Sequence, residues 1–415
     1  MSSESDGDIE ARTQRPLPTP ALTEELAAWR TPHGPLSGAL LGRIHLPADR
    51  CPSGVGGPTP VAIRPDGVYD LLPHGPTISD LLERPDLIEL LRARDLRRIA
   101  DLDDIVAGSD AHRRTQGRLA LLSPFDLQVI RACGVTFADS LIERVIEEGA
   151  HGDKAHAEAL RGRLVAAIGS DLRAVRPGTE AAAALKRELI ASGLWSQYLE
   201  VGIGPDAEIF TKAPVLASVG FGERIGIRRD SSWNNPEPEV VLAVDGRGRI
   251  VGATLGNDVN LRDFEGRSAL LLPEAKDNNA SCSLGPWIRV FEPGFLLGDL
   301  MATDVELEVI GEDGFLTTGR NRLDRISREP EALVAQAIGR THQYPDGLAL
   351  FLGTMYVPTV DRAEPGSGFT HHIGDVVRIS NPFLGSLVNR VGYSEELPPW
   401  TFGLRAFHDN LVART

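Results

Sequence analysis

Two textures of apolar spacing divide this chain: helical periods dominate the first half, and short alternating or continuous apolar runs dominate the second. Residues 1–36 hold no sustained apolar period and read as a flexible leader, with at most one short helix near Glu24–Arg30. Ordered structure is expected from Ala39–Leu46 onward. Pro60–Arg64 and Val68–Leu72 flank Pro65-Asp66-Gly67, a hairpin signal. Thr77–Glu83 and Asp86–Arg94 carry Leu and Ile at helical spacing. These elements describe a small N-terminal α+β domain over residues 37–120, after which Leu121–Pro124 enters a main domain over 121–415. That domain opens with expected helices at Ala157–Val175 and Thr179–Ser192, separated by Pro177-Gly178. Short β-rich runs follow, paired across turns: Val240–Val244 with Arg249–Thr254, Val305–Ile310 with Phe315–Thr318, and Asp375–Ser380 with Leu387–Arg390. One late helix is expected over Glu329–Gly339, with Ser327 as its N-cap. Many hairpins and few helices predict an α+β, mainly β fold: a sandwich, roll or barrel rather than a doubly wound sheet.

Composition narrows the function without naming it. The 415 residues carry a formal charge of −15, which argues against a nucleic-acid partner. A small anionic substrate stays compatible, because a bound cation reverses the local field. Cys51, Cys133 and Cys282 are widely spaced and form no CxxC pair, as expected in a reducing, cytoplasmic setting. The N-terminal residues lack an apolar signal-peptide core, and no apolar run approaches membrane-spanning length. GxSxG, P-loop, HExxH and strand-linked GxGxxG signatures are missing.

The best candidate chemistry lies in Pro236-Glu237-Pro238-Glu239, which leads into the Val240–Val244 run. On a strand, residues i and i+2 share a face, so Glu237 and Glu239 present two carboxylates side by side. Anions that close repel unless a cation bridges them or one takes a proton. The following hairpin returns to Gly256-Asn257-Asp258 and brings a third carboxylate near the pair. Three oxygen donors with room for water and substrate suit Mg²⁺ or Mn²⁺. An isolated Glu-x-Glu is more often a solvated strand edge, since charged residues are mostly exposed.

The wider wording bears on that choice. Trp233-Asn234-Asn235-Pro236-Glu237-Pro238-Glu239, Gly256-Asn257-Asp258-Val259-Asn260-Leu261-Arg262-Asp263, Lys276, Leu284-Gly285-Pro286-Trp287, Leu352-Gly353-Thr354 and Gly374-Asp375-Val376-Val377 together resemble the fumarylacetoacetate hydrolase family. The resemblance covers residues from about 120 to 400. It implies a mixed β-sandwich roll, one divalent metal held by Glu237, Glu239 and Asp258, and a 2-keto acid substrate contacted by Arg262, Lys276 and Thr354. Hydrolytic members carry a water-activating His–Glu pair. The matching segment here, Phe137 to Glu143, has Ser140 at the histidine position and keeps Glu143. Glu265 stands where hydrolases place an oxyanion-supporting Gln, and an ionised carboxylate is a poor oxyanion donor. Leu194–Glu200, Phe264–Ser268, Lys276–Cys282, His342–Gly347 and Gly368–His371 resemble the family's 2-keto-3-deoxy-pentonate dehydratase branch. The resemblance then implies a metal-dependent hydro-lyase acting on a small 2-keto-3-deoxy sugar acid in oxidative pentose breakdown. Lys276, Glu143 and Glu265 would be its proton-transfer groups, with Lys276 as the base, and Ser140 would face the substrate. A homo-oligomer is expected. The alternatives are an acylpyruvate-type C–C hydrolase that recruits His371 or His372 as its base, and a scaffold that binds metal without turnover.

Overall fold

The computed structural model describes residues 22–31, 34–110, 117–137, 141, 145, 162–163, 175–362 and 368–414. Two sheets pack face to face. The larger runs in the order Arg98–Ala100, Gly67–Asp70, Gly57–Arg64, Leu40–Leu46, Cys282–Val290, Ile250–Asp258, Pro238–Val244, Leu348–Phe351, Val129–Gly134 and Glu208–Ala213. Its neighbours are antiparallel except Leu348–Phe351 with Val129–Gly134. The smaller sheet runs Leu316–Arg322, Asp304–Ile310, Val376–Asn381, Gly385–Tyr393 and Arg224–Ile227. The expected hairpins all form, and the described residues are sheet-rich and form no closed barrel.

The central strand Pro238–Val244 is buried on both faces, which explains its unbroken apolar run. Val240, Leu242 and Val244 point into the core shared with Val305, Leu307, Val309, Ile379 and Leu387 of the smaller sheet. Val241 and Ala243 point the other way, into a second core with Phe351, Leu81, Leu87 and Leu91. Glu237 and Glu239 have the parity of Val241, so they enter from this second side, at the strand's N-terminal end.

Local signals in the sequence are kept at several helices. Ile78–Leu82 opens with a capping box between Thr77 and Asp80, and Glu180–Ala191 is capped by Thr179. The late helix differs. It spans Pro330–Ala337 with Glu329 at the N-cap, because Pro330 fits the first turn and needs no amide partner. Ser327 instead donates its hydroxyl to the Thr136 carbonyl at 2.8 Å. The helix expected at Ala157–Val175 falls almost entirely outside the described residues. The large sheet is continuous across the boundary expected at residue 120, since Leu40–Leu46 pairs with Cys282–Val290. No helix among the described residues is long and apolar enough to cross a membrane.

Packing begins earlier than the leader expectation places it. Glu25–Trp29 forms a short helix whose Leu26 and Trp29 are buried. The Trp29 indole meets Trp287 edge-on at 4.7 Å and Phe221 at 5.4 Å, and donates to Ser386 Oγ at 3.2 Å. Trp29→Ala is expected to destabilise the fold by about 3–5 kcal/mol, the usual cost of deleting a fully packed aromatic. Urea unfolding measures this, and a loss below about 1 kcal/mol would show that the segment does not contribute to the core.

Candidate functional site

Backbone pairing assembles the acidic group. Pro238 lies opposite Asn257 and Glu239 opposite Gly256 in the antiparallel pair. That register sets Asp258 across from Glu237, and the Asp258 amide donates to the Glu237 carbonyl at 3.0 Å. The i, i+2 spacing then adds Glu239 on the same face. All three side chains are buried, each 1% exposed or less, with carboxylate oxygens within 4.8 Å of one another. This is the opposite of a solvated strand edge.

Two lysines meet this charge. Lys276 ends the short helix Leu272–Lys276, and its Nζ lies 2.5 Å from Glu237 Oε2 and 3.0 Å from Asp258 Oδ2. Lys212, on the strand Glu208–Ala213, reaches Asp258 Oδ1 at 2.8 Å from a fully buried position. Burial by itself opposes the charged form of Lys276, but Asp258, Glu237 and Glu265 outweigh it and raise the pKa. These neighbours favour the charged form of Lys276. Glu239 forms no ion pair among the described residues. It accepts from the Gly353 amide at 2.7 Å, and the Thr354 hydroxyl lies 3.3 Å from its other oxygen. Burial, then Asp258 and Glu237, push its carboxyl well above the ordinary value of 4.5.

The residues fit a divalent cation. Their donors are hard oxygens, and two ammonium groups leave three clustered carboxylates short of positive charge. Donors around a Mg²⁺-sized ion stand about 3–4 Å apart, close to the spread seen here. The Thr354 hydroxyl also lies 2.9 Å from Glu237 Oε2, so its single proton is shared between two of the carboxylates.

Other expected residues border this cluster. Asn260 Nδ2 donates both to Glu237 Oε1 at 2.9 Å and to Glu265 Oε2 at 2.5 Å, which ties Glu265 to the site through one amide. Arg262 is buried and stacks on Trp233, its guanidinium carbon 4.5 Å from a ring centroid. Ser140 and Glu143 lie outside the described residues. Of the histidines considered for the hydrolase alternative, His371 is buried against Asp375 and Phe369, and His372 lies near Asp313. Burial lowers the His371 pKa and so favours the neutral ring. Neither joins the group of converging metal-ligand side chains among the described residues.

Sequence reasoning missed Lys212, Asn260 and the Gly353 amide. Asn260 lies inside a motif already singled out, two residues after Asp258. Gly353 has φ +104°, and a Cβ there would meet Thr136 Oγ1 at 1.9 Å, so glycine is required where the chain turns its amide toward Glu239. Lys212 has no local signal, since its partners come from elements distant in sequence.

Residues 234–392 match the family model described as fumarylacetoacetate (FAA) hydrolase, C-terminal. The 2-dehydro-3-deoxy-D-arabinonate dehydratase of Saccharolobus solfataricus is 32% identical over 184 residues, 44% of this chain and 58% of that protein. The probable 2-keto-3-deoxyxylonate dehydratase of Haloferax volcanii is 34% identical over 203 residues, 48% of this chain and 65% of that protein. The matches thus span less than two thirds of either relative's length. A solved structure of 2-keto-3-deoxy-D-arabinonate dehydratase, complexed with magnesium and 2,5-dioxopentanoate, superposes with a TM-score of 0.57 at 20% identity. It covers 85% of this chain and 99% of its own, so the fold is shared.

The raised Glu239 pKa has a definite sign for stability. A carboxyl that binds its proton more tightly when folded stabilises the fold fully below its unfolded pKa, near 4.5. That contribution is lost as pH rises through the folded value. In EDTA, wild-type protein should therefore melt at progressively lower temperature as pH rises above about 5, with Glu239→Gln flattening the decline. Thermal scans between pH 5 and 8 check this; an unchanged slope in Glu239→Gln would remove Glu239 as its source.

Proposed function

Because residues 234–392 match the fumarylacetoacetate hydrolase family model, we propose that this protein is a Mg²⁺- or Mn²⁺-dependent dehydratase of that family. Its substrate is a 2-keto-3-deoxy-D-pentonate, and its products are 2-oxoglutarate semialdehyde and water. The observation that carries this reading is the buried Glu237–Glu239–Asp258 cluster with the Lys276 ammonium against two of its members. The two dehydratase relatives, and the magnesium and 2,5-dioxopentanoate bound in the related structure, support it. Three buried free cysteines support a reducing, cytoplasmic setting.

When bound, the divalent cation supplies Lewis acidity that makes the C3 protons of a 2-keto acid easier to remove. The protein's own groups do the rest. Lys276, held as an ammonium, offsets the negative charge that grows on the C2 oxygen when C3 loses a proton. Thr354 and Arg262 orient the substrate's carboxylate. Glu265, linked to the cluster by Asn260, and Glu143 are the carboxyl groups that exchange protons. One takes the C3 proton, and an acid returns a proton to the departing C4 hydroxyl, which leaves as water. The resulting unsaturated keto acid loses one C5 proton and the C5 hydroxyl proton, gains one proton at C3 and one at C4, and so becomes the isomeric aldehyde. A charged Lys276 serves this scheme better than a neutral one, because the ammonium is needed when the enolate charge appears.

A coupled assay with a 2-oxoglutarate-semialdehyde dehydrogenase tests the proposal. Activity should disappear with EDTA and return with Mg²⁺ or Mn²⁺. Lys276→Ala should lower the rate by about 10²–10³ while the metal still binds. A substrate panel that yields no semialdehyde, or a Lys276→Ala rate within a few-fold of wild type, would contradict the proposed chemistry.

A further inference from the structure

Each carboxylate of the cluster has one oxygen tied outward and one turned inward. Asp258 Oδ1 is held by Lys212 at 2.8 Å, while Oδ2 faces Lys276 at 3.0 Å. Glu237 Oε1 accepts from Asn260 at 2.9 Å, while Oε2 lies between Lys276 and Thr354. Glu239 Oε2 accepts from the Gly353 amide at 2.7 Å, while Oε1 faces Thr354. We infer that Lys212, Asn260 and the Gly353 amide are positioning groups that restrict each carboxylate to a single metal-facing oxygen. They thereby select a small six-coordinate cation, Mg²⁺ or Mn²⁺, over Ca²⁺.

The physical reason is coordination number. Ca²⁺ takes about 6–8 oxygens and often engages carboxylates through both of theirs, whereas Mg²⁺ demands a compact octahedron. Engaging both oxygens here means rotating a carboxylate off its outer donor. That donor would be left buried and unpaired, a cost that rises for a charged group. Lys212 makes the strongest of these ties. Its ammonium is fully buried, donates to the Val259 carbonyl at 3.0 Å and to the Lys276 carbonyl, and forms an ion pair with Asp258 Oδ1 at 2.8 Å. It donates two of its protons to backbone carbonyls, whereas Lys276 donates only to carboxylates of the cluster. The same ammonium braces the Lys276 backbone, whose carbonyl also accepts from Ser281 Oγ at 2.8 Å. A single residue thus fixes both the oxygen that Asp258 offers and the anchor of the lysine opposite it. The Gly353 tie is backbone, and its left-handed φ together with the close Thr136 hydroxyl makes it hard to relax.

This inference rests on the metal reading of the proposed function, and calorimetric titration of the EDTA-treated, dialysed protein separates the two. Wild-type protein should bind Mg²⁺ and Mn²⁺ more tightly than Ca²⁺. Lys212→Met should weaken Mg²⁺ binding about 10- to 100-fold, as loss of a positioning contact around a metal ligand commonly does. Ca²⁺ binding should fall by much less, because Asp258 then has both oxygens to offer, and the Mg²⁺-to-Ca²⁺ ratio should drop. Asn260→Leu should lower the ratio in the same direction by freeing the outer oxygen of Glu237, and it carries the test if Lys212→Met fails to fold in a thermal scan. Wild-type protein that binds none of the three ions overturns the metal reading and this inference with it. Wild-type protein that binds all three without preference, or a folded variant that keeps the wild-type ratio, overturns this inference alone.

Discussion

Mutual repulsion among three buried carboxylates is the constraint around which the rest of this molecule is arranged. Glu237, Glu239 and Asp258 are held within 4.8 Å by backbone pairing that leaves them no freedom to separate. Such an arrangement is costly in a low-dielectric interior unless cations or protons offset it. The structure applies every available remedy: two buried ammonium groups, an amide side chain, a backbone amide, a hydroxyl, and a carboxyl pushed toward its protonated form. With Glu239 ionised, two ammonium groups against three carboxylates leave one negative charge, which a divalent cation would take up. The two-sided burial of the central strand gives the frame its rigidity, since packing on both faces prevents the carboxylate-bearing end from fraying.

The lysines divide the electrostatic work. Lys212 donates to two backbone carbonyls, pairs with Asp258 and is a fixed part of the scaffold. Lys276 touches inward-facing oxygens of Glu237 and Asp258, and is therefore the cation best placed to follow charge as it develops on a substrate. In the proposed reaction, a charged Lys276 leaves proton removal to a carboxylate. Glu265 is suited to that burden because a single Asn260 amide links it to Glu237, so its position is coupled to the cluster itself.

Much of this was legible in the sequence because it is local. The period-two spacing of Glu237 and Glu239 and the hairpin that returns Asp258 both follow from strand geometry, and the apolar run after Glu239 marks a strand buried on both faces. Position along the chain could not reveal Lys212, whose carbonyl partner at Lys276 is 64 residues away and is brought near only by the order of strands and helices in space. Trp29 escaped notice for a similar reason. A five-residue helix has too few turns to display an apolar period, and its partners Phe221 and Trp287 belong to distant segments. The Ser327 cap failed through competition: Pro330 sets the helix start three residues later, and the Ser327 hydroxyl is drawn to the Thr136 carbonyl instead. The protonation of Lys276 was not legible in the sequence, because burial and neighbouring charge act in opposite directions and their balance needs distances. Ser140 and Glu143 lie outside the described residues, so their readings rest on the sequence resemblance.

The central claim is that these residues eliminate water from a five-carbon 2-keto acid rather than cleave it. Carbon-13 NMR in D₂O on a uniformly labelled 2-keto-3-deoxy-D-pentonate with Mg²⁺ tests this most directly. One labelled product should form, with all five carbons retained, an aldehyde at C5 and solvent deuterium on the former hydroxyl-bearing C4. Appearance of pyruvate with a separate two-carbon fragment, or intact substrate after prolonged incubation with metal-loaded protein, would contradict it.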